Sequence, residues 1–96
     1  MKHAGPKALD RIETLLAALR QYDRLKEKSR GCFYLGGKGF LHFHEHGADE
    51  LYADIGIGDF ERLPAMTLAQ HKEILRRTAR MLGKGAPADG KPSRAR

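Results

Sequence analysis

Apolar residues recur at Leu9, Ile12, Leu16 and Leu19, with Leu15 and Tyr22 beside them, while Arg11, Arg20, Arg24 and Lys28 fall mostly off that line. Spacing by threes and fours is a helical stripe. Pro6 suits a first helical position, where its missing N–H is not needed. Neither Gly nor Pro interrupts before Gly31, so the pattern predicts one helix from Pro6 to Glu27. The period then changes to two. Cys32–Leu35, Phe40–His46 and Leu51–Ile57 read as three strands. Gly36-Gly37-Lys38-Gly39 forms the first turn between them and Gly47-Ala48-Asp49-Glu50 the second, since glycine supplies the positive φ of tight turns. Gly58 to Met66 reads as a connector, with Phe60 packing inward and Pro64 blocking helix. Thr67 and Gln70 match a capping box and open a second helix. Its apolar side is Leu68, Ile74, Leu75, Thr78, Met81 and Leu82, and Gly83 or Gly85 ends it. Met1 to Gly5 is expected to fray.

These elements make an α+β fold of order α-β-β-β-α, a three-stranded antiparallel sheet with both helices on one face. Residues 1–83 form one domain, and 84–96, rich in Gly and Pro with no apolar anchor, form a disordered basic tail. Strand alternation sorts the side chains. Phe33, Leu35, Leu41, Phe43, Leu51, Ala53, Ile55 and Ile57 belong on the helix side. Cys32, Tyr34, Phe40, His42, His44, His46, Tyr52 and Asp54 belong on the open side. Directly opposed residues share a face, so pairing Phe43 with Ala53 or Ile55 sets Asp54 opposite His42 or His44. Pairing Phe33 with Leu41 or Phe43 does the same for Cys32.

Composition narrows the setting. The 96 residues are 41% hydrophobic and 31% charged, ordinary for one globular domain. The apolar runs are too short for a membrane helix, and no apolar stretch follows Lys2 to suggest a secretory signal. One cysteine excludes an internal disulfide and favours a reducing, cytoplasmic setting. The net charge is +6, unevenly spread. Residues 31–66 hold two Lys/Arg against six Asp/Glu, whereas residues 1–30 hold eight against four. Arg76, Arg77, Arg80 and Lys84 crowd the end of the second helix, where its dipole favours cations.

The open face carries the unusual chemistry. A His- and Tyr-rich surface there suits a protein partner or a second copy of the chain, with Tyr34, Phe40, His46 and Tyr52 as contact residues. Non-enzymatic binding of this kind is the leading expectation. Imidazole, thiolate and carboxylate also suit zinc or another transition metal. His42 and His46 start about 13 Å apart at about 3.3 Å per residue, so the candidate ligands are His42, His44 and Asp54, with Cys32. RNA or DNA binding is a further alternative. Lys38-Gly39-Phe40 has the basic-Gly-aromatic order of an RNA-recognition strand, and exposed rings stack bases. Lys38, Arg76, Arg77, Arg80, Lys84 and the tail would supply cations, because the strand segment itself is acidic. The element order is that of double-stranded-RNA-binding domains, without their lysine cluster at the start of the last helix. Catalysis is not expected: Cys32, a histidine and Asp54 could form an activated thiol, but no nucleophile motif is present.

The run Leu35-Gly-Gly-Lys-Gly-Phe-Leu-His-Phe-His44 resembles the signature of the so-called luciferase-domain family. That signature has a Leu-Gly-Gly turn, His-x-His on the next strand and an Asp on the one after, here Asp54. The match covers about 25 of the 96 residues and departs at Gly39, where the signature has an acidic residue. The resemblance implies no settled activity. It implies strands in this segment and singles out His42, His44 and Asp54.

Overall fold

The computed structural model describes residues 1–47 and 49–83. In chain order these form β1 (Lys2–His3), α1 (Pro6–Arg11), α2 (Glu13–Leu19), β2 (Leu25–Ser29), β3 (Cys32–Leu35), β4 (Lys38–His46), β5 (Glu50–Ile55), β6 (Glu61–Pro64) and α3 (Leu68–Leu82). Helices with an antiparallel sheet match the expected class. The sheet, however, has six strands rather than three, in the order β2-β3-β4-β5-β6, with β1 on β4. The first part of β4 pairs with β3 and its far end with β1. The remaining edge of β4 carries β5 from Leu41 to His46.

The extra strands arise where local signals were weak or contrary. The helix expected over Pro6 to Glu27 breaks at Ile12 (φ −117°, ψ 22°) and ends at Leu19. Leu25–Ser29 is instead paired with β3. Gly31, at φ 81°, closes this tight hairpin rather than ending a helix. A strand is favoured here because Leu25 reaches the core while Lys26 lies opposite Tyr34. Arg20 grips Glu13 and Glu27, and Glu27 accepts the Gly31 N–H, which ties α2 to the hairpin. At the other edge, Pro64 ends β6, a place where no ladder N–H is required.

The three helices pack on one face of the sheet. Leu16, Leu19, Phe33, Phe43, Ile55 and Ile74 are among the fully buried members of this single core. At about 25 cal/mol per Å² of apolar area, each such side chain contributes about 1.5–3 kcal/mol to folding. The capping box on α3 is formed. Gln70 N–H donates to Thr67 Oγ1 at 3.1 Å, and Thr67 N–H donates to Gln70 Oε1 at 3.0 Å. Gly83, at φ 75°, follows the last turn. Among the described residues no helix is long and apolar enough to cross a membrane. The expectations for 84–96, Lys84 included, lie outside the described residues.

Candidate functional site

The pairing register selects one of the expected alternatives at each strand. Phe43 opposes Ala53 and Phe33 opposes Leu41, so His42 is flanked by Cys32 on one side and Asp54 on the other. His44 opposes Tyr52 on β5 and His3 on β1. Asp54 in turn opposes Arg62. The face away from the helices therefore gathers His3, Lys26, Cys32, Tyr34, His42, His44, Tyr52, Asp54 and Arg62.

Several expected members are elsewhere. Phe40 is fully buried. The ladder slips by one residue between Phe33↔Leu41 and Tyr34↔Gly39, and this bulge turns Phe40 into the core. Lys38 opposes Leu35 and so shares the helix-side face. Ile57 is 60% exposed, because the ladder stops at Ile55 and the chain turns at Gly56. Phe60 does not pack inward: it is 47% exposed, and its ring centroid lies 5.7 Å from that of His42. His46 is exposed at the end of β4, opposite Glu50. Arg76 and Arg77 lie on α3, across the sheet from the histidines, where Glu73 pairs with both and Glu61 also holds Arg77. Arg80 is exposed on the same helix. Three residues that reach the face were not expected there: His3, Phe60 and Arg62. Lys26, inside the stretch that reads as helix, and Lys28, just beyond it, join them.

The rings form a connected line. Tyr34 and His42 are 5.7 Å apart, His42 and His3 6.0 Å, and His3 and His44 4.7 Å. Every contact is tilted or edge-on; His3 is exposed, whereas Tyr34, His42 and His44 are partly buried. Lys28 Nζ sits 4.7 Å from the Tyr34 ring centre, within cation–π range. Gly39 leaves room for the His42 ring, since a β-carbon there would come within 2.9 Å of His42 Cε1. Arg62 Nε donates to Asp54 Oδ1 and one terminal Arg62 nitrogen to Oδ2, both at 2.8 Å, and His44 Nε2 stands 3.3 Å from that same Oδ2. Cys32 Sγ lies 3.9 Å from His3 Nδ1. His42 Nε2 and His44 Nδ1 are shielded and have no hydrogen-bond partner of good geometry among the described residues. No three His, Cys, Asp or Glu side chains among those residues stand in a metal-holding arrangement.

Burial keeps His42 and His44 neutral near pH 7. Burial pushes His42 below its ordinary 6.5, helped by His3 and His44 and opposed by Asp54. Burial does the same to His44, against the pull of Asp54 and the Lys2 backbone. Arg62 holds the Asp54 carboxyl below its ordinary 3.8. The unfolded chain therefore binds more protons at these histidines than the native one does. Their contribution to stability is fully present above pH 6.5 and is lost as pH falls through the lower native values. That of Asp54 is present above 3.8 and lost on further acidification. The urea midpoint is accordingly expected to fall between pH 7.5 and 5, and the double variant His42→Gln, His44→Gln to flatten that fall. An unchanged slope in the double variant would place the acid sensitivity elsewhere.

No family model, no curated protein and no solved structure matches the chain.

Proposed function

We propose that this protein is a non-enzymatic binding module and that the open face of its sheet is the binding surface. The observation that supports this reading most is the line of tilted, partly exposed rings at Tyr34, His42, His3 and His44, with Phe60 leaning onto it. The helices cover the opposite face only. Such a surface offers apolar area and shielded polar atoms together, the composition of a recognition site. The recesses lined by Lys7, Ala8, Arg11, Glu45 and Asp49, and by Asp23, Arg24, Lys26, Leu35, Gly36 and Gly37, include none of these rings.

The test is an amide and histidine-ring NMR map in three arms: zinc, single-stranded oligonucleotide, and increasing concentration of the protein itself. Saturable shifts on Tyr34, His42, His44 and Phe60 in any arm are the expected result. The third arm covers a homodimer. If shifts are confined to α1, α2 and α3, or absent from every arm, the reading fails.

Transition-metal binding is the second reading, favoured by the approach of Cys32 Sγ to His3 Nδ1 and by the tilted approach of the His3 ring to His44. The donor set is then His3, Cys32, His42 and His44. Asp54 is less suited than the sequence suggests, because Arg62 occupies both of its oxygens. Side chains must rotate to close on an ion, so the folded apo form precedes binding. In the zinc arm, His42→Ala or His44→Ala should abolish the ring shifts and leave the fold intact, with EDTA reversing them in the parent.

A further inference from the structure

The strand β2 changes the charge of the open face. The central segment is acidic in sequence, yet its carboxylates on this face are engaged: Asp54 by Arg62 and His44, and Glu50 by the Tyr52 hydroxyl at 2.9 Å. Lys26 and Lys28, from the neighbouring strand, bring positive charge to the other end. Lys26 is the register partner of Tyr34, and Lys28 lies over its ring. Going across the sheet, the order is Lys28 and Lys26 on β2, Tyr34 on β3, His42 on β4, and Phe60 leaning back from the start of β6.

We propose that this line binds single-stranded nucleic acid, with bases stacking on Tyr34 and Phe60, the two rings that meet His42, and phosphates lying along Lys26 and Lys28. The inference rests on the reading of the open face as the binding surface and names its ligand. Three points support it. First, neighbouring centroids are 5.7 Å apart at both steps, Tyr34 to His42 and His42 to Phe60. Tyr34 and Phe60 each meet His42 at a tilt; Phe60 is 47% exposed, and Lys28 Nζ, now over the Tyr34 ring, leaves that face to a base when it moves to a phosphate. Aromatic stacking accepts any base, so the expected preference is for single strands rather than for a sequence. Second, Gly39 opposes Tyr34 beside the line and adds no side chain to it. Third, the cations sit at one end and the line runs into them. Beyond Lys26 lies a recess of about 510 Å³, lined by Asp23, Arg24, Lys26, Leu35, Gly36 and Gly37. Two cations and one carboxylate border it, with one Arg24 nitrogen donating to the Leu82 carbonyl. Leu35 belongs to the helix side of the sheet, so the recess bounds the line rather than extending it.

Duplex nucleic acid fits less well, because paired bases present no faces to a flat row of rings. The cations on α3 lie across the sheet from this line. Simple phosphate attraction through them would bypass the rings, and the test separates the two.

The experiment is fluorescence anisotropy with labelled oligo(dT) and oligo(U) single strands of roughly 12 nucleotides, within the site sizes of stacking platforms, and a duplex of equal length. Binding is expected for both single strands and weaker for the duplex. Tyr34→Ala and Phe60→Ala should each weaken binding roughly tenfold to a hundredfold, the usual loss for one stacked base. The pair Lys26→Ala, Lys28→Ala should lower the slope of log affinity against log salt by about 1.4, as for two phosphate contacts on a single strand. Arg76→Ala should leave both unchanged. Circular dichroism checks the fold of each variant, and Tyr34→Leu keeps bulk without an aromatic face. Affinity insensitive to both ring removals but lost in Arg76→Ala overturns the inference, as does duplex preference. If no oligonucleotide binds but zinc or self-association shifts His42 and Phe60, the inference falls while the binding reading survives. If nothing moves those residues, both fall.

Discussion

Phe40→Ala is expected to cost about 3–5 kcal/mol, the usual loss for truncating a buried phenylalanine. A plain alternation along β4 assigns Phe40 to the face of His42 and His44, where truncation costs about 0.5 kcal/mol or less. The two arrangements therefore differ by several kcal/mol at one residue. The bulge decides between them. Tyr34 opposes Gly39, yet Phe33 opposes Leu41, so β4 spends one more residue than β3 over this stretch. Phe40 turns inward and is fully buried beside the equally buried Leu41. The Phe40 carbonyl stays paired with the Gly56 N–H at 3.0 Å, so truncation removes packing alone and leaves the ladder intact. Urea unfolding at constant m-value measures the effect. Since small domains hold only about 5–15 kcal/mol, Phe40→Leu provides a milder second point. A midpoint unchanged in both variants would return Phe40 to the open face and remove the bulge.

The same residue shows why part of the site was legible and part was not. Period-two alternation limits the partner of Cys32 and of Asp54 to His42 or His44, because register in a half-buried sheet is fixed by the apolar set, and the observed pairing is His42 for both. That argument needs only residues whose faces are unambiguous, such as Phe43, Ala53 and Ile55. It fails at an inserted residue, since a bulge leaves no composition signal beyond a nearby glycine, and Gly39 reads equally well as the end of the Gly36-Gly37-Lys38-Gly39 turn. The segment Leu25-Lys-Glu-Lys-Ser29 failed for a different reason. Lys and Glu are good helix formers, and the apolar stripe ran up to it. Pairing with β3 and the left-handed Gly31 overrode that propensity. Two further strands were too short to carry a period at all. Lys2–His3 has no apolar residue, and Glu61–Pro64 has only Leu63. Their open-side residues, His3 and Arg62, complete the face. Each acts through a cross-strand partner, His3 through His44 far along the chain and Arg62 through Asp54 on the adjacent strand. The capping box on α3, by contrast, is a local device and could be read directly from Thr67 and Gln70.

Gly56→Ala is the second large effect, and it links the fold to the face. A β-carbon on Gly56 would lie 1.9 Å from the Asp59 carbonyl oxygen, 3.0 Å from its carbon and 3.1 Å from Phe60 Cα. All three are backbone atoms, so no rotamer change relieves the overlap. Either the turn from Gly56 to Phe60 opens, or Gly56 withdraws and breaks its hydrogen bond to Phe40. The expected loss is about 3 kcal/mol, the upper part of the range for overpacking. Opening the turn also carries Phe60 away from His42, so the His42 ring resonances should shift in the variant. Gly39→Ala supplies the contrast. There the added carbon meets His42 Cε1 at 2.9 Å and Phe60 Cζ at 3.8 Å, both at the ends of side chains. The His42 ring can swing aside, so the same resonances should move with a stability loss of about 1 kcal/mol or less. One glycine thus governs the site through the backbone, and the other through side-chain space alone. Equal stability losses in the two variants, or a His42 ring unmoved in both, would break the link drawn between the Gly56 turn, Phe60 and the open face.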